Sequence, residues 1–160
     1  MIELKRIQIT DPSSYCSIAK ECIQLEASPE HEGFVEVSLE EAYEGSQEGF
    51  IDAAYAIYAN NTMVGFIMYG FVNAEDDVYG EDCYNIWRVM IDKNHQRKGY
   101  AKQAVAKVLE EIRTMPYGNV PHVYTSYNPN NTASRSLFAS LGFEETGQLD
   151  DDEPIARLKI

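Results

Sequence analysis

The segment YNIWRVMIDKNHQRKGYAKQAVAKVLEEIRTMPYGNVPHVYTSY, residues 84–127, constrains the fold more than any other stretch of the chain. Its start, residues 84–92, is an apolar run of strand length. Ala101, Ala104, Val105, Val108, Leu109 and Ile112 then recur at helical steps, predicting a long amphipathic helix that ends before Pro116. HVYTSY (122–127) predicts the next strand. Two strands joined through a helix must be parallel, as a right-handed βαβ crossover. Parallel neighbours that no hairpin seals can splay at their carboxyl ends, where ligands of α/β folds tend to bind.

The rest of the chain must complete the sheet around that crossover. Ile2, Leu4, Ile7 and Ile9 predict a strand whose alternation slips once, as at a bulge. Asp11-Pro12 reads as a helix start, and Tyr15, Ile18, Ala19, Cys22 and Ile23 keep one helical face to about Leu25. Ser38-Leu39-Glu40-Glu41 fits a capping box, which places a short second helix near 39–43 and leaves SPEHEGFVEV as the loop before it. Strands over 53–59 and 63–72 flank Asn60-Asn61, a hairpin dipeptide, and the polar NAEDDVYGEDC reads as a loop. Asn131 or Thr132 caps a short helix that Gly142 stops, and FEETGQ and IARLKI form two closing strands joined by DDDEP. The expected architecture is α/β: a mixed, mainly antiparallel sheet with helices on both faces, in one domain over residues 1–160.

Charge and composition narrow the function. The chain has 13 Lys and Arg against 26 Asp and Glu, a net charge of −13, which repels nucleic acid and suits cationic partners. No apolar run approaches the roughly 20 residues that span a bilayer. The charged, alternating start is unlike a signal peptide, so the expected location is cytosolic, with no membrane partner. Cys16, Cys22 and Cys83 are odd in number and lack metal-ligand spacing, so reduced thiols and no metal site are expected.

The turn HQRKGYAKQAV (95–105) lies where the first strand of the crossover meets its helix. The first helical amides there have no intrahelical partner, and they and the helix dipole attract an anion. Gly99 lets the anion approach without meeting a Cβ, while Arg97, Lys98 and Lys102 add positive charge. The expected guest is a pyrophosphate.

At this point the sequence resembles the GNAT family of acetyl-coenzyme A-dependent N-acetyltransferases. Gln96, Gly99 and Ala101 behind WRVMID match the family's Gln/Arg-x-x-Gly-x-Gly/Ala signature; Asn131, Ser134, Leu137, Phe138, Gly142 and Phe143 match its second element. The resemblance implies a seven-stranded GNAT fold in which backbone amides of Arg97, Lys98, Gly99, Tyr100 and Ala101, with Lys102 nearby, hold the pyrophosphate of acetyl-CoA. The pantetheine arm would pair with Val89, Met90 and Ile91 and meet Asn131, Ser134 and Phe138, and Arg135 would reach a phosphate. Family members often form dimers.

Acetyl transfer needs a deprotonated amine, a polarised thioester carbonyl and a departing thiolate. A backbone N–H near Met90 is the expected polarising donor. The resemblance places a Tyr general acid where Phe138 stands; Tyr127, Tyr84 and Tyr100 are candidate substitutes, and a thiol with a pKa near ~8.5 can also leave with solvent-mediated proton donation. The Glu that some polyamine acetyltransferases carry on this strand is Trp87 here, beside Arg88. The expected proton acceptor is then a water chain or a loop carboxylate: Glu36 before the second helix, or Glu75, Asp76 or Asp77 after the hairpin, with Glu81 and Asp82 weaker. The acidic balance, Glu75-Asp76-Asp77, Asp150-Asp151-Asp152-Glu153 and a likeness of HEGFVEVSLEEAYE to the bacterial spermine/spermidine branch imply a polyamine acceptor, with Phe34 and Tyr55 on its methylenes and Trp87 also in its site. Alternatives are another amine, on a protein or an aminoglycoside, or a sensor of acetyl-CoA or polyamine without turnover.

Overall fold

The computed structural model describes residues 1–28, 32–76 and 78–160. Its single sheet has seven strands: β1 (Ile2–Ile7), β2 (Ile51–Ala59), β3 (Thr62–Val72), β4 (Cys83–Ile91), β5 (His122–Ser126), β6 (Glu144–Asp150) and β7 (Glu153–Lys159), ordered β1-β2-β3-β4-β5-β7-β6. All neighbours pair antiparallel except β4 and β5. The helices are α1 (Ser17–Ile23), α2 (Phe34–Gln47), α3 (Tyr100–Ile112) and α4 (Thr132–Ser140).

Each face of the sheet carries its own core. On one, α3 buries Ala104, Val105, Val108, Leu109 and Ile112 against Ile57, Ile67, Tyr69, Tyr84 and Ile86. On the other, Ala19 and Cys22 of α1 and Val35, Leu39 and Ala42 of α2 meet Ala54, Ala56, Phe66, Met68 and Met90. A sheet covered on both faces is apolar on both, which corrects the reading of the first strand. β1 runs in continuous register with β2 and has no bulge. Ile2 and Ile7 fall into opposite cores, so the apparent slip records two buried faces.

Helix boundaries show what local signals miss. Asp11 caps a single 3-10 turn, Pro12–Ser14, through Ser13 N at 2.8 Å, and α1 begins separately at Ser17. The expected capping box is not a cap. α2 starts at Phe34 after Gly33, whose φ of 73° a glycine adopts without strain. Ser38 lies inside the helix and donates to Phe34 O at 2.7 Å, while Glu41 pairs with Arg88 on β4. The last hairpin is also tighter than expected: only Asp151 and Asp152 turn, and Glu153 and Pro154 already belong to β7. Asn60 and Asn61 turn the β2–β3 hairpin with φ of 50° and 64°, as that dipeptide predicts.

Candidate active site

β4 and β5 pair only at Tyr84↔Val123 and Asn85↔Tyr124, with Thr125 Oγ1 donating to Ile86 O at 2.9 Å just beyond. From there the strands part. Two adjoining cavities, about 640 Å³ and about 130 Å³, occupy the opening and share Phe34, Val89, Asn131 and Ser134 in their walls.

A bulge in β4 sets which groups face this opening. Met68 pairs with Arg88 and Tyr69 with Ile86, so Trp87 is the extra residue. The slip turns Trp87 and Arg88 both toward α2. Further along, Asp92 N donates to Val64 O on β3 at 2.8 Å. Alternation therefore directs the Met90 backbone to β3, where it pairs with Phe66, and the Val89 and Ile91 backbones to the opening. The expectation for Met90 holds only in part: its N–H belongs to the ladder and its side chain is buried in the α2 core, but the residue still contributes to the wall of the larger cavity. Val89 and the Ile91 N–H offer the free strand edge.

The turn after β4 is fixed from inside. The Asp92 carboxylate accepts from Glu26 N at 3.0 Å and Asn94 N at 3.0 Å. Burial opposes ionisation, but those backbone donors hold the carboxyl below its ordinary value. Gln96 Nε2 donates to Ala27 O at 3.1 Å and Ile91 O at 2.9 Å, tying the turn to the segment after α1. Gln96 thus positions the turn. Arg97 and Gly99 have φ of 65° and 77°, and successive turned amides of this kind form an anion-binding concavity. A Cβ on Gly99 would meet only Gln103 Nε2, at 4.0 Å, so the space before it is open. Arg97, Gly99, Tyr100, Ala101 and Lys102 line the larger cavity together with His95, which the motif reading passed over. The exposed Lys98 side chain is not in that lining.

At the other end of the opening the walls are side chains. Phe138 is 4 % exposed and stacks on Tyr127 with ring centroids 6.2 Å apart. Tyr127 donates to Glu145 Oε1 at 3.2 Å, and burial together with that carboxylate raises its phenol pKa. Ser126 donates to Glu153 Oε1 at 3.1 Å. Two hydroxyls in the cavity wall are therefore each backed by a carboxylate. Neither Glu145 nor Glu153 stood out in the sequence as a partner of this strand end. Asn131 Oδ1 accepts from Ser134 N at 3.0 Å as the α4 cap, leaving only its amide for a ligand.

Trp87 Nε1 donates to Asp52 Oδ1 at 2.9 Å, a partner 35 residues away. Gly70 lies between them on β3, and a Cβ there would fall 2.5 Å from Asp52 Oδ1, so this carboxylate reaches β4 only over a glycine. Burial raises the Asp52 pKa to about 6, against the opposing pull of the Trp87 hydrogen bond and the Arg88 charge. Arg88 itself donates to Ser38 Oγ, Trp87 O and Glu41 Oε2 at 3.1, 2.9 and 3.0 Å.

Several expected participants lie elsewhere. Glu36 is exposed on the first turn of α2, outside the cavity linings. Glu75 and Asp76 are exposed in the loop before β4, at the opposite end of that strand from Gly99, while Asp77 lies outside the described residues. Glu81 is bound to His122 and Tyr124, and Asp82 accepts from Ala74 N. Tyr84 is fully buried, with its hydroxyl bonded to Gly118 O, and Tyr55 bonds Glu111 on the α3 face. Arg135 is spent on Glu145 at 2.9 Å and Pro129 O at 3.4 Å, outside both linings. Among the described residues no group of His, Cys, Asp and Glu could hold a metal, and no helix is long and apolar enough to cross a membrane.

The chain is similar to known proteins. The spermine/spermidine N(1)-acetyltransferase of Bacillus subtilis is 26% identical over 132 residues, covering 80% of this chain and 82% of that one. The L-2,4-diaminobutyric acid acetyltransferase of Halalkalibacterium halodurans is 28% identical over 107 residues, 66% of this chain and 52% of its own. The crystal structure of the PaiA N-acetyltransferase of Thermoplasma acidophilum, in complex with coenzyme A, shares the fold with a TM-score of 0.69 at 14% identity, covering 100% of this chain and 99% of that one. The model of the Acetyltransferase (GNAT) family matches residues 18–143, and the chain belongs to that family of acetyltransferases.

Proposed function

We propose that this acetyltransferase carries the acetyl group of acetyl-CoA to a primary amine of a polyamine such as spermidine or spermine. The observation that carries the reading is the opening between β4 and β5, which runs from the left-handed turn at Arg97 and Gly99 to the side chains of Trp87 and Tyr127. Similarity to a spermine/spermidine acetyltransferase over most of both chains supports the acceptor class.

The residues present fit acetyl-CoA. The open concavity before Gly99, with Arg97 and Lys102 beside it, suits the pyrophosphate. The free edge of Val89 and the Ile91 N–H suits the amide groups of the pantetheine arm, with Asn131 opposite. When bound, acetyl-CoA supplies an activated acyl carbon and a thiolate leaving group with a pKa near ~8.5. Val89 N–H is the donor available to the thioester oxygen. Tyr127 replaces the family's hydroxyl at Phe138 and protonates the departing sulfur. Ser126, backed by Glu153, offers a path for the proton that the attacking amine releases.

An amine panel with thiol detection tests this. Steady release with spermidine and spermine at catalytic enzyme concentration is the expected result. Release only with diaminobutyrate, an aminoglycoside or a peptide amine moves the acceptor class. Coenzyme A binding without release from any amine leaves a sensor and removes the enzyme reading.

A further inference from the structure

Beyond Trp87, on the α2 side of the sheet, lies a separate cavity of about 270 Å³ whose walls include Phe50, Trp87, Glu41, Asp52 and Asn85. Two of its acceptors lack the partner their burial calls for. Asp52 receives a hydrogen bond only from the neutral indole N–H and makes no ion pair among the described residues. Arg88, the one cation acting on it, is tied to Glu41, Ser38 and its neighbour's carbonyl. Asn85 Oδ1 is buried with no hydrogen-bond partner. A half-buried carboxylate without a cation and a buried orphan carbonyl oxygen each cost free energy until a donor reaches them. Aromatic walls favour a cation as that donor. A primary ammonium supplies the charge and three N–H groups in one small head.

We propose that this cavity seats a second, non-reacting ammonium of the acceptor, so that the acceptor is a diamine or longer polyamine held across Trp87. The proposal rests on the amine-acetylation reading for the other end of the molecule. Trp87 is shared by this cavity and by the smaller cavity of the β4–β5 opening, so a chain of methylenes passing the indole links the two. A monoamine fills only one of the two positions.

The chain has a single Trp, so intrinsic fluorescence reads the cavity without turnover. Putrescine and butylamine are titrated into the protein without acetyl-CoA, with calorimetry alongside. Putrescine is expected to give a saturable response, and butylamine one at least tenfold weaker. Asp52→Asn keeps an acceptor for the indole N–H and is expected to lower putrescine affinity at least tenfold. Asn85→Ala, at a separate position, is expected to lower it several-fold. Equal binding of the two amines, no putrescine binding, or unchanged affinity in both variants overturns the site. The thiol assay separates the two readings. Equal kcat/KM for butylamine and putrescine keeps acetyl transfer and removes the second ammonium site. Binding through Asp52 with no thiol release from any amine keeps the ammonium site and removes amine acetylation.

Discussion

The two ends of the β4–β5 opening are built from different material. At the Gly99 end the working groups are backbone: the turned amides of Arg97 and Gly99 and the free edge of Val89 and the Ile91 N–H. At the Trp87 end they are side chains from α2, β2, β4, β5, β6 and β7, each held by a partner distant in sequence. The first end should tolerate changes of side chain and fail on changes of backbone. The second should behave in the opposite way.

The largest effect is expected from Gly99→Val. It strains a residue at φ 77° and puts methyl groups where the anion approaches, so loss of two charged hydrogen bonds predicts acetyl-CoA affinity reduced on the order of a hundredfold by calorimetry. Unchanged affinity would break the backbone half of the comparison. Next comes the pH dependence of stability at Asp52, which faces Trp87, Arg88, Glu41 and Asn85. Its folded pKa of about 6 lies above the ordinary aspartate value of 3.8, so the protonated form suits the fold. That contribution is full below the unfolded value and is lost as pH rises through 6. Asp52→Asn should therefore exceed the wild type by up to ~2 kcal/mol in denaturant unfolding at neutral pH, with the gap closing at acid pH. A pH-independent gap would show that Asp52 is not uncompensated.

Tyr127→Phe sharpens the side-chain half. With a thiol that leaves easily, kcat should fall about tenfold while KM for acetyl-CoA holds. An unchanged kcat and pH profile would mean that the sulfur needs no donor from the chain. The smallest effect belongs to Arg135→Ala. Its guanidinium is half exposed and spent on Glu145, so stability should drop by less than ~1 kcal/mol and KM for acetyl-CoA should stay within about twofold. A large rise in KM would return Arg135 to the phosphate.

The same division explains what could be read from the sequence. The crossover, the opening and the Gly99 turn follow from periodicity, from one glycine and from a short motif, all local signals. The bulge at Trp87 was not legible, because the alternation of a strand buried on both faces carries no phase. The Asp52–Trp87 bond depends on Gly70 of a third strand, and no spacing along the chain encodes such a bridge. Glu36 and Glu75 were plausible bases by charge alone, yet helix direction and strand length carried them away from the opening. Ser38 and Glu41 imitated a cap because the residues that suit a helix start also suit an Arg across the interface.

The two-residue ladder between β4 and β5 has a mechanical consequence. It divides the sheet into a four-stranded half and a three-stranded half that share one apolar core and little hydrogen bonding. A molecule lying along the free edge of β4 and touching α4 acts as a removable seam between those halves. Ligation should therefore slow amide exchange most in β5 and β7, and less in β2 and β3, because it joins two cooperative units that otherwise open separately.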